Sequence, residues 1–229
     1  MTAAVTVVPK PGVASGELMD EIRQLARETL PQGMDIAWSA LSFQEAKNEG
    51  STAPLVLLAV LFGYLFLVAQ YESWTIPVPV MLSVFVAMLG ALLGLRWWGG
   101  FMTGSPYALS IYAQLGLVLL VGLASKNAIL IVEFAMEKHE KEGLGIVESA
   151  GVAAGERLRP LLMTALTTLL GTLPMMIATG AGARSRNHLG TTEFWGMAAS
   201  VAFGILLVPG LYALFQTLRE RIKVLFREF

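Results

Sequence analysis

Hydrophobic residues in this chain fall into five long runs separated by short polar breaks, after a first stretch of different character. The runs cover about residues 54–70, 76–95, 111–134, 160–178 and 191–215. Each is long enough for a helix to cross the hydrocarbon core of a bilayer. The first two are joined by little more than YESWT, so they form a helical hairpin, with Tyr71 and Trp74 as an interfacial anchor. Arg96-Trp97-Trp98-Gly99-Gly100 marks the next interface, and a polar loop follows to Ser110. Residues 135–159 carry charges of both signs and are broken by Gly143 and Gly145; their second part reads as an amphipathic helix on the membrane surface. Pro160 suits the first turn of the fourth run. GAGARSRNHLG reads as a loop before the fifth run, and the tail RERIKVLFREF is basic.

The first fifty residues follow another rhythm. Residues 3–9 alternate weakly and are β-branched, which predicts a short strand; Lys10-Pro11-Gly12 is a turn. Leu18, Ile22, Leu25 and Ala26 make an apolar stripe on a helix from Gly16 to about Leu30, which Pro31-Gln32-Gly33 ends. Met34 to Leu41 alternates again, with Met34, Ile36 and Trp38 on one side. This β–α–β unit is too small for a core of its own and belongs to a larger domain. Residues 42–52 are polar. The expected fold is an α-helical membrane protein: residues 1–50 form a small β-α-β piece of an α+β subdomain, and residues 53–229 form a membrane domain of five transmembrane helices.

Composition agrees with that division. The chain has 229 residues, 55% of them hydrophobic and 14% charged, with a mean hydropathy of +0.64. Such values sit well above the soluble average for apolar content. The net charge of −1 says less than its placement. Residues 1–50 hold four basic and seven acidic side chains, whereas the rest holds twelve basic and ten acidic. Five spans put the termini on opposite sides. One set of flanks carries Lys138, Lys141, Arg157, Arg159, Arg219, Arg221, Lys223 and Arg227, against Arg96, Arg184 and Arg186 on the other. Eight against three places the C-terminus in the cytoplasm and residues 1–50 outside. No export signal precedes that outer segment, so the chain reads as the tail of a longer protein.

Soluble enzyme chemistry finds no support. There is no HExxH, Walker loop or GxSxG, and no cysteine for a thiolate site. An intramembrane aspartyl protease would need two membrane aspartates, and the last aspartate is Asp35. His139 and His188 read as ordinary surface residues of loops. No concentrated basic patch points to nucleic acid, and no cofactor or metal is expected.

The chemistry concentrates in the third and fourth runs. Lys126 lies fifteen residues into its span. A lysine at the centre of a membrane helix costs about 3 kcal/mol on insertion scales. It is neutral through desolvation, paired with a carboxylate, or open to a water-filled cavity. Gly122, Lys126 and Glu133 share one helical face, and Gly122 admits a close neighbour. Glu133 reads as a solvated flank. Thr164, Thr167, Thr168 and Gly171 make a polar stripe on the fourth run, with Arg157 seven residues before Thr164. Threonines so placed serve helix packing, and Arg157 is equally well a snorkelling flank. A carboxylate for Lys126 has to come from outside this chain.

Four stretches carry a resemblance. AQYESWTIPVPVML, GLASKNAILIVEFA, ERLRPLLMTAL and TGAGARSRNHLGT resemble resistance–nodulation–division (RND) transporters, closest to the hydrophobe/amphiphile multidrug efflux pumps of Gram-negative inner membranes. The resemblance covers about residues 5–215 and corresponds to the end of such a pump: the last β–α–β piece of a periplasmic porter subdomain and the last five of twelve helices. It implies a proton/substrate antiporter rather than an enzyme. It also implies a homotrimer working with a periplasmic adaptor protein and an outer-membrane channel, with residues 1–50 periplasmic. Relays of this family face two aspartates of the N-terminal half toward a lysine, an arginine and a threonine, which match Lys126, Arg157 and Thr164; the aspartates are not in this sequence. The competing expectations are a truncated, non-transporting membrane product and an accessory subunit of a protein-export complex. The run ARSRNH and the following TTEFWGM depart from the small residues usual there, with Glu193 and Trp195 the unexpected ones.

Overall fold

The computed structural model describes residues 4–7, 15–31, 33–47, 52–104, 107, 109–180 and 182–227. Among these, seven helices follow in order: α1 (Ser15–Thr29), α2 (Ala40–Lys47), α3 (Thr52–Tyr71), α4 (Pro77–Thr103), α5 (Ile111–Glu142), α6 (Ile146–Met176) and α7 (Ala183–Arg227). α1 forms where the apolar stripe predicted it. Among the described residues there is no strand: residues 4–7 and 34–39 lie outside regular structure. A strand exists only when a second one completes its hydrogen-bond ladder, and neither segment has such a partner among the described residues. The turn expected at Lys10-Pro11-Gly12 lies outside the described residues.

α3 and α4 form the expected hairpin around Glu72–Ile76. The Tyr64 hydroxyl donates to the Trp74 carbonyl at 2.9 Å, fixing the turn to α3. α4 starts at Pro77, where a missing N–H costs nothing. It runs past the expected interface at Arg96 and stops only at Gly104, whose φ of 76° supplies the left-handed cap. Ser110 caps α5 by accepting from the Ala113 N–H, and the helix continues through the charged residues 135–142.

Two expected boundaries are corrected. The amphipathic stretch and the fourth run are one helix of 31 residues, α6, with Pro160 in its interior rather than its first turn. The segment Arg184–His188 is not a loop but the start of α7, a helix of 45 residues. At 1.5 Å per residue, α5, α6 and α7 all exceed the roughly 30 Å of a hydrocarbon core.

α7 is the centre of the bundle and packs against α4, α6 and α5; α3 lies at the edge against α5 and α4. Small residues make the close contacts. A methyl group on Gly90 would collide with Ala199, one on Gly94 with Trp195, and one on Gly196 with Leu120. The core comprises Val80, Val84 and Ala87 of α4, Leu120, Ala124 and Val132 of α5, and Val208 and Tyr212 of α7. Large apolar side chains such as Phe62, Phe66, Phe85, Leu93, Met163, Leu170 and Leu206 point outward. An apolar exterior around a small-residue interior is the arrangement of helices solvated by lipid. Four helices among the described residues are long and apolar enough to cross a membrane: those at Pro54–Tyr71, Pro77–Thr103, Ile111–Glu142 and Ala183–Glu220. α6, with two prolines and its threonines, is not one of the four.

Candidate functional site

The residues of interest lie on the faces of α5 and α6 that turn away from α4 and α7. Asn127 and Leu120 point inward, Asn127 donating to the Met197 sulfur of α7 at 3.5 Å. One position away, Lys126 is therefore turned outward, and it is exposed together with Gly122 and Glu133. A Cβ on Gly122 would meet nothing within 4 Å, so the helix backbone itself is open there. Among the described residues Lys126 makes no hydrogen bond or ion pair.

On α6, Arg157 is half-buried. Its guanidinium carbon lies 4.2 Å from the centre of the Phe134 ring of α5, close enough for cation–π attraction, while its Nε is buried with no hydrogen-bond partner. Lys138 approaches the same ring at 5.3 Å. Thr164 is exposed, and its hydroxyl donates back to the Leu161 carbonyl at 3.0 Å and the Pro160 carbonyl at 3.2 Å. Such a hydroxyl keeps its acceptor lone pairs free. Thr167 and Thr168 bond their own helix in the same way. No direct bond joins Lys126, Arg157 and Thr164. The Arg157–Phe134 stack is one of the contacts between the two helices.

Both histidines differ from expectation. His188 belongs to α7 and is buried, with Nδ1 2.8 Å from Ser110 Oγ and its ring stacked on Tyr107 at 4.6 Å. His139 lies in the last turn of α5 and bridges the Leu144 carbonyl at 2.7 Å to the Glu220 carboxylate of α7 at 2.9 Å. Each ties a helix end to α7. Sequence alone offered no sign of this, because both partners lie far along the chain.

Four long apolar helices with an apolar exterior define a multi-pass helical membrane protein, with Lys126 on an outward face. Comparison with known proteins identifies it: the description "AcrB/AcrD/AcrF family" matches residues 1–216. The chain belongs to that family, among the RND efflux transporters. It is 40% identical over 215 residues to the toluene efflux pump membrane transporter TtgE of Pseudomonas putida, a match that covers 94% of this chain and 20% of that protein. It is 42% identical over 218 residues to the solvent-resistant pump membrane transporter SrpB of Pseudomonas putida, covering 93% and 20%. With the multidrug resistance protein MdtF of Escherichia coli the identity is 39% over 212 residues, covering 93% and 20%. The chain thus spans about one fifth of the length of these relatives.

Proposed function

We propose that this chain is the C-terminal part of an inner-membrane RND pump that exports hydrophobic and amphiphilic compounds by proton antiport. The observation that carries the reading is the outward Lys126 on the open Gly122 face of α5, with the half-buried Arg157 and its unpartnered Nε against Phe134 further along the same helix. A cation at membrane depth without an acceptor is costly until a carboxylate is brought to it. On this reading two aspartates from the N-terminal part of the same protein dock there. While charged they hold Lys126. When protonated they release it toward Thr164, whose free lone pairs accept the ammonium. The helices then settle into a second arrangement.

In this reading α6 crosses the membrane as a fifth span over about residues 160–178, its threonines and prolines tolerated because they face protein rather than lipid. The C-terminus is cytoplasmic in a Gram-negative cell, and residues 1–50 complete a periplasmic porter sheet with strands from elsewhere in the protein. A homotrimer, an adaptor and an outer-membrane channel finish the export path. The printed names of the relatives, toluene, solvent and multidrug pumps, support hydrophobic cargo.

The test is Lys126→Ala in the full-length transporter, reading efflux of a fluorescent amphiphile driven by an imposed proton gradient. Loss of gradient-driven efflux with normal membrane insertion is expected. Undiminished efflux would overturn the assignment.

A further inference from the structure

The relay face leaves one membrane carboxylate unexplained. Glu193 stands near the start of the apolar part of α7. It is half-buried, and among the described residues it makes no hydrogen bond or ion pair.

Its direction follows from its neighbours. Gly190, Glu193, Met197, Ser200 and Gly204 recur at steps of three and four, so they share one stripe of α7. Gly190 lies against α6, where an added Cβ would come 2.8 Å from Met175 Cβ. Met197 meets Asn127 of α5. Ser200 and Gly204 line a small, largely apolar cavity with Asn127, Leu161 and Ser83. Glu193 is bracketed by these contacts and therefore faces the seam between α5 and α6.

That seam carries a line of hydroxyls. On α6, Thr172, Thr168 and Thr164 recur every four residues and run away from the level of Glu193. Each donates its proton to its own helix, Thr172 to the Leu169 carbonyl at 3.1 Å and Thr168 to the Thr164 carbonyl at 2.9 Å, which leaves lone pairs for water. Thr192, beside Glu193, packs on Gly116 of α5, where an added Cβ would lie 2.9 Å away. Lys126 is ten residues further along α5, roughly 15 Å deeper.

We propose that Glu193 is a proton station at the outer mouth of the α5–α6 seam, feeding the Lys126 face along the threonine ladder. The step balances simply. The Glu193 carboxylate takes a proton from hydronium at the outer surface, leaving water. The neutral acid then gives that proton to water in the seam and returns to carboxylate. The proton gradient that drives the pump is the only source required, so the inference rests on the antiport reading above. The ionisable groups on the packed elements include Arg96 of α4, Lys126 and Glu133 of α5, Glu156, Arg157 and Arg159 of α6, and Arg184, Arg186 and His188 of α7, with the remainder in the charged stretches at residues 137–148 and 219–227 and the tyrosines Tyr112 and Tyr212. Among the described residues none of them pairs with Glu193, so its carboxyl is free to exchange a proton.

The experiment uses the full-length transporter in membranes and dicyclohexylcarbodiimide, an apolar reagent that adds across protonated carboxyls shielded from water. The carboxyl oxygen bonds to the central carbon and its proton moves to nitrogen, so the peptide gains the mass of the whole reagent. Glu193 should be labelled, and labelling should fall as pH rises. Glu193→Gln should lose the label and one inflection from the pH profile of gradient-driven efflux, and Glu193→Asp should restore both. An unlabelled Glu193, or a Glu193→Gln profile identical to the parent, overturns the station. Lys126→Ala, run in parallel, separates the two readings: if it transports normally the antiport relay itself fails. If it is inactive while Glu193→Gln keeps the parental profile, only the station fails.

Discussion

The indole of Trp195 on α7 occupies the space that Gly94 of α4 leaves empty. The ring also meets Trp97 edge-on at 5.2 Å between centroids, and Phe194 at 5.6 Å. One turn along, Gly90 receives Ala199. A bulky residue in a helix interface is tolerated only where the facing helix offers a gap of its size. Trp195, which looked out of place in the sequence, is thus matched by a glycine far earlier in the chain.

Gly94→Ala should therefore destabilise the bundle by about 1–3 kcal/mol, the usual range for overpacking. The added methyl would meet Trp195 Cβ at 2.2 Å as well as indole carbons at 2.3 and 2.5 Å, so Trp195→Gly, which removes all three, should recover most of the loss when combined with it. Thermal unfolding of the four proteins of this double-mutant cycle in detergent checks the coupling. Simple additivity would mean the two residues do not share the space.

The α4–α5 connection makes a second prediction. Ser110 caps α5 and bonds His188, and His188 stacks on Tyr107. Ser110→Ala removes both bonds at once and should cost about 1 kcal/mol. Amide hydrogen exchange should speed up at the start of α5 and leave its C-terminal half unchanged.

Tyr107 adds a pH dependence at the same junction. Burial raises its phenol above the usual 10.0, against a hydrogen bond with Asn187 and the charge of Arg184, which pull it down. An acid whose folded value is raised favours the folded state while it stays protonated. That contribution is complete below the unfolded value and is lost as pH rises through the folded one. Melting temperature should decline above about pH 10, and in Tyr107→Phe this part of the decline should vanish.

The Arg157–Phe134 stack predicts a split between two conservative changes. Phe134→Leu keeps the apolar bulk but removes the ring face under the guanidinium. It should lower stability by about 1 kcal/mol and loosen α6 from α5. Phe134→Tyr keeps the face and should be nearly neutral. Unfolding in detergent distinguishes them, and equal effects would mean that the ring acts through its volume alone.

How far the sequence reached depended on the range of the signal. α3, α4 and α5 begin where the hydrophobic runs predicted, because a membrane span is written in consecutive residues. Helix ends were harder to read. Gly99-Gly100 looked like a stop, yet α4 continues to Gly104, the first glycine after it with positive φ. Similarly, α7 starts right after Gly180 and Gly182, at φ of 85° and 70°, and the charged residues that follow are helical. Pro160 looked like a start because its ring cannot donate a hydrogen bond, but one lost bond does not outweigh the several helical turns on either side of it. Lys126 was legible from its cost alone. The Phe134 platform under Arg157, the partners of the two histidines and the gap facing Trp195 were not, since each joins positions that only the fold brings together.

The open face of α5 gives the last prediction. The chain has no cysteine, so a single introduced thiol reports without background. Gly122 is exposed and has nothing within 4 Å of an added Cβ, which makes Gly122→Cys a mild change one turn from Lys126. In the chain expressed alone and held in detergent, that thiol should react readily with N-ethylmaleimide. In the full-length transporter under the same conditions, docking of the helix that carries the relay carboxylates should cover it, and labelling should slow markedly. The control is a cysteine at Leu206, exposed on α7, which should label alike in both. Equal rates at residue 122 would mean that the Lys126 face stays open in the assembled protein, and Lys126 would then have to be stabilised by water rather than by a partner helix.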